Sequence, residues 1–231
     1  MIALEVAAGV TLHLGVPEGA REEAEGALPG IDVSAVPGAR VVLRRGFVRE
    51  GGGRGGEGAN GAGAGAGGLV VVRVGCVVAP SDRWAPGVEE LVLGRATGLA
   101  TGGLGAAVER WEASAITARE GRFEQRIVGR AGGREVAGVA HTLGFVGASH
   151  EVVLCSVGCA GGEVCREVLG ATRVTGELVG PPPPSALVRG VLLAAERPYE
   201  AVAVVGAVGV AVVAVLLARR PKVPWRGSGE R

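Results

Sequence analysis

The chain has 231 residues with 43 Gly, 12 Pro and aromatic residues at 3%, and a formal net charge of +1. That length suits one domain with appendages. Arginine and glutamate alternate throughout, which excludes the clustered basic face of a nucleic-acid binder.

In chain order, Met1 to Val16 reads as one or two short strands ended by Pro17 and Gly19, and Glu18 to Ala27 as a short acidic helix. Arg40 to Arg49 alternates, with Val41, Leu43 and Phe47 on one face of a half-buried strand. Residues 51–68 are glycine-rich and carry no large apolar side chain, so a flexible excursion between two strands is expected. A phosphate-binding loop would need Lys and Ser or Thr after its last glycine. Here Leu69 and Val70 follow instead.

Leu69 to Ala79 is a continuous apolar strand. Ser81 or Asp82 would cap a helix whose buried stripe is Trp84, Val88, Leu91 and Val92, ended within Gly98 to Gly105. Period-two patterning then predicts strands at Ala107 to Arg119, Arg122 to Arg130 and Glu135 to Val146, with Glu120-Gly121 and Ala131-Gly132-Gly133 as hairpin turns. His150 to Val157 is a further strand, Glu163 to Gly170 a second helix and Arg173 to Val179 a closing strand. Strands, helix, meander, helix is the order of an α+β domain, with an antiparallel meander sheet and both helices packed on one face. This order, with VVLCSVGCAGGEVCREVL as its strand-to-helix junction, resembles the small Mog1/PsbP-like domains. The resemblance covers Met1 to Val179 and implies a binding or assembly module, with no catalytic residue to carry over.

Residues 180–185 form a proline-rich stalk around Pro181 to Pro184, and 186–197 a juxtamembrane amphipathic helix with Leu187, Val188, Val191 and Leu192 as its apolar face. Residues 201–218 contain only Ala, Val, Gly and Leu. As a helix this run spans roughly 27 Å, close to a bilayer's hydrocarbon core, and is expected to cross the membrane. Tyr199 before it and Trp225 after it suit the two interfaces, and Arg219, Arg220 and Lys222 of the 219–231 tail can reach headgroup phosphates. Ala203, Ala207 and Ala211 share one face and would let two such helices pack as a weak homodimer. The abundance of alanine in the chain is the plainer account.

Two arguments conflict on orientation. The basic tail places the domain outside the cytoplasm. The first residues lack the charged and apolar regions of a leader, which places it inside unless the start lies upstream. The cytoplasmic side is the expectation adopted.

The cysteines are Cys76, Cys155, Cys159 and Cys165. Their spacing is not that of a zinc ribbon or a CxxC redox site. In an exported domain Cys159 would pair with Cys165 and Cys76 with Cys155; in the cytoplasm all four would be buried thiols. His141 shares a strand face with Val139, Leu143 and Phe145, the setting of a core or strand-edge histidine. Ser114, Ser149 and Ser156 lack the sharp turn a nucleophile needs. Asp32 and Asp82 are the only aspartates, a poor supply for phosphoryl transfer or calcium. No catalytic, cofactor-binding or metal-ligating residue is assigned. The expected function is a membrane-anchored, non-catalytic binding or assembly module with a protein or lipid partner; the alternatives are a tethered enzyme or a thiol-redox protein.

Overall fold

A computed structural model describes residues 1–34, 36–50, 69–82, 84–102, 104, 109–131, 134–147, 149–183, 186, 188 and 189. Met1–Pro183 forms one compact unit. The run 201–218, its flanking residues and nearly all of the 186–197 segment lie outside the described residues. Among those described, no helix is long and apolar enough to cross a membrane.

The strands are β1 (Ile2–Ala7), β2 (Val10–Leu14), β3 (Arg21–Glu22), β4 (Arg40–Arg49), β5 (Val70–Pro80), β6 (Arg110–Ala113), β7 (Thr117–Arg119), β8 (Arg122–Ala131), β9 (Arg134–Val146), β10 (Glu151–Ala160), β11 (Arg173–Gly176) and β12 (Leu178–Val179). The helices are α1 (Val88–Gly102) and α2 (Glu163–Ala171). The fold is α+β and dominated by antiparallel sheet. Nine strands form a main sheet whose path is β3-β4-β5-β10-β9-β8-β6, with β7 and β12 at its margins; β1, β2 and β11 form a second, three-stranded sheet. Arg49 of β4 pairs directly with Val70 of β5, across the glycine-rich segment.

β5 lies inside the sheet between β4 and β10, and its valine run follows from burial on both sides. Val70, Val72, Val74, Cys76 and Val78 are buried on one face, while Val71, Arg73, Gly75 and Val77 are half-buried on the other. The first face meets the small sheet and α2: Leu12, Leu14, Val168, Leu169 and Val174 join Val72, Val157 and Cys159 in one core. The second face meets α1, whose Leu93 packs with Trp84, Leu143 and Phe145.

The two helices therefore cover opposite faces, which corrects the expectation of one shared face. α2 is bonded to Cys159 and α1 to the His141–Ser156 pair. Residues 156 and 159 are three apart on one strand, so their side chains point to opposite sides.

Four local expectations also change. Residues 18–27 are β3 and a 3-10 turn (Glu25–Ala27), not a helix, because Glu22, Glu23 and Glu25 face sheet arginines. Such tertiary ion pairs outweigh the propensity of a short helix. α1 starts at Val88, later than Ser81 or Asp82 would have it, because Trp84 is held in an aromatic cluster before the helix. Among its described side chains Leu93 and Ala96 are buried, and Leu91 is 68% exposed. A bulge at Val42 sets Val41 opposite Val77 and Leu43 opposite Cys76, so those two side chains take opposite faces. The strand expected over Ala107 to Arg119 breaks into β6 and β7.

The β7–β8 hairpin closes through Glu120-Gly121, both with positive φ (47° and 76°), as a two-residue turn requires. A side chain at Gly121 would collide with the carbonyl of Val179.

Candidate functional site

Cys76 and Cys155 sit directly opposite one another on β5 and β10 and are joined by a disulfide, S–S 2.08 Å. A second disulfide, 2.03 Å, ties Cys159 at the end of β10 to Cys165 in α2. All four residues are at most 3% exposed. Tyr199, Arg219, Arg220, Lys222 and Trp225, and the Ala203, Ala207, Ala211 face, lie outside the described residues.

The β9–β10 register sets His141 opposite Ser156. His141 Nδ1 lies 2.8 Å from Ser156 Oγ, and Nε2 lies 2.9 Å from Thr97 Oγ1 of α1. Thr97 donates its own hydroxyl proton to the Leu93 carbonyl, 3.0 Å away. Its oxygen therefore accepts from Nε2–H, which leaves Nδ1 to accept from the Ser156 hydroxyl. His141 is 1% exposed, and burial pushes its pKa down to about 4. The ring is neutral and hydrogen-bonded at both nitrogens, a core histidine as its strand face implied.

This relay is poorly built for nucleophilic catalysis. The group orienting the imidazole is a neutral hydroxyl, where a triad uses a carboxylate. Ser156 sits in mid-strand, and β10 is paired along its length with both β5 and β9. Its backbone amides serve the two ladders and leave no donor pair for an oxyanion.

The same cross-strand row continues past Ser156. Arg44 is opposite Gly75, Gly75 opposite Ser156, Ser156 opposite His141, and His141 opposite Gln125. Five strands thus place one cation, one gap and one acceptor in line. A strap, residues 22–31, covers the β4–β5 end of the row. Arg73 holds Glu23 through two bonds, Nε to Oε2 at 3.1 Å and Nη2 to Oε1 at 3.0 Å. The Glu23 amide donates to the Gly46 carbonyl at 2.8 Å, and Arg45 pairs with Glu22. Leu28 and Ile31 enter the spaces over Gly46 and Gly75, where an added Cβ would come within 2.5 Å of each.

Between this strap and α1 lies a pocket of about 90 Å³. A single buried water occupies roughly 10–15 Å³ on the same measure, so the space exceeds a packing gap. Leu28, Ile31, Val77, Ala96 and Leu154 supply apolar wall, Ser156 a polar wall group, and Arg44, Arg45 and Arg73 the charge. The strap and the row went unseen in the sequence because both depend on register.

These features define a sheet-dominated α+β module with a strap-covered pocket on one face and two disulfides in its core. No family model, curated protein or solved structure matches the chain, so the Mog1/PsbP-like resemblance rests on element order alone.

Proposed function

We propose that this chain is a membrane-tethered, non-catalytic binding module whose domain works on the non-cytoplasmic side and takes a ligand beneath its strap. The observation that carries the reading is the Cys76–Cys155 disulfide, inside the sheet between its two central strands. Disulfides of this kind persist in oxidising compartments. They weigh with the basic tail, and against the cytoplasmic placement that the first residues suggested. The tether is the apolar run 201–218. The thiol-redox alternative is disfavoured because all four cysteines are buried, and exchange needs an accessible sulfur. An enzyme with Ser156 as nucleophile is disfavoured because the β10 amides around it are committed to the two ladders.

The test uses full-length protein in its own membranes. Denatured without reductant, it should bind no polyethylene-glycol maleimide; after reduction it should take up four. Protease added to intact cells should remove the domain, and removing residues 198–231 should release it into the supernatant. Four reactive thiols before reduction, or a domain cut only after the membrane is breached, would overturn the reading.

A further inference from the structure

We propose that the strapped pocket binds an aliphatic carboxylate, as a short free acid or as a peptide C-terminus ending in an aliphatic residue, with Arg44 holding the carboxylate. This rests on the binding-module reading above and adds the ligand's chemistry.

Among the described residues of the wall none is acidic, while three are arginines, Arg44, Arg45 and Arg73. An apolar wall with a cationic end selects an anion with an apolar body. Of the three cations, Arg45 is paired with Glu22 and Arg73 is already committed to Glu23 in a two-bond fork. Arg44 is held more loosely. Its Nη2 donates to the Glu25 carbonyl at 3.3 Å and lies 3.7 Å from the Glu25 carboxylate, whose side chain is 84% exposed. A long ion pair to an exposed partner contributes little, so Arg44 can exchange it for a ligand carboxylate at small cost. Its planar fork then matches two carboxylate oxygens.

The opposite end of the row fixes the ligand's direction. Ser156 turns its proton to His141, so lone pairs face the pocket and repel an anion there. The carboxylate is thereby confined to the Arg44 end. Arg44 and Ser156 are two strands apart through Gly75, roughly 10 Å at ordinary strand spacing, which limits the ligand to a short chain. Gly75 adds no side chain between them, and the space over it is shared with Ile31, the residue that would sense the ligand.

The chain has four isoleucines, Ile2, Ile31, Ile116 and Ile127. Methyl NMR of full-length protein in nanodiscs, labelled at isoleucine δ1, therefore gives one reporter in the pocket and three away from it. Titration with hexanoate should shift the Ile31 methyl saturably and leave the Ile2 and Ile116 methyls in place. Acetyl-Ala-Leu should do the same if peptide termini are accepted; the stronger of the two identifies the source. Hexanamide, which lacks the charge, should bind weaker by roughly tenfold or more, as should Arg44→Met with hexanoate. Equal affinity for hexanoate and hexanamide in the wild-type protein, or an unmoved Ile31 methyl for both acids, would overturn the proposal whatever Arg44→Met does. That failure is separable from failure of the binding-module reading, which is decided by thiol state and protease access.

Discussion

His141 should make this domain acid-sensitive. Its pKa is held at about 4 in the fold, against 6.5 in the unfolded chain. Between those values the unfolded chain takes up a proton that the folded one does not. The contribution is complete above pH 6.5 and disappears as pH falls to 4; below that both states are protonated. A difference of 2.5 pKa units corresponds to about 3 kcal/mol in all, of which about 2 kcal/mol is lost by pH 5. His141 is 1% exposed, so solvent screening does little to reduce this. The control is His141→Gln, whose amide can accept from Ser156 and donate to Thr97 without titrating. Urea unfolding of both proteins can be followed by the fluorescence of Trp84, buried against Phe145. The wild type should lose about 2 kcal/mol more than the variant between pH 7 and pH 5. Parallel curves would show that the ring is protonated or solvated in the fold, and would refute the relay.

Three further outcomes are expected. The Cys76–Cys155 link closes a span of 79 residues and the Cys159–Cys165 link one of 6, so chain entropy predicts losses of about 4.5 and about 2 kcal/mol for the paired Cys→Ala variants, measurable by denaturant unfolding. Gly121→Ala combines a positive-φ strain with a collision at Val179; it should cost about 1–3 kcal/mol and free β12 from β9, seen as faster hydrogen exchange of the β12 amides. Gly75→Val should expel Ile31 and lift the strap, so that the Glu23 amide exchanges rapidly while the amides of β10 remain protected.

What the sequence made legible was periodicity. Residues 70–80, 122–131 and 134–146 alternate or run apolar because burial demands it, and they are strands near the expected bounds. Phase and register were less visible. The expected α1 stripe included Leu91 because Trp84 was counted as part of the helix, although its ring belongs to an aromatic cluster. The acidic segment at 22–25 looked helical because its partners, Arg44, Arg45 and Arg73, are twenty to fifty residues away. The His141–Ser156 pair was recoverable in principle. A connection at residues 147–150 makes paired positions sum to 297, which sets 141 against 156. Thr97 and Ile31 come from non-adjacent elements, and no local pattern announces them.

Direct pairing of Arg49 with Val70 has an evolutionary corollary. The points where the chain departs from and rejoins the sheet at this hairpin are one strand spacing apart, so the β4–β5 register does not require a connection of any particular length. Loop-closure entropy varies only as about (3/2)RT ln n, so trimming some twenty residues to four would alter stability by only about 1.4 kcal/mol, in the favourable direction. The connection between Arg49 and Val70 is therefore a position where length can be gained or shed at little entropic cost, and a suitable one for an inserted epitope or fluorophore.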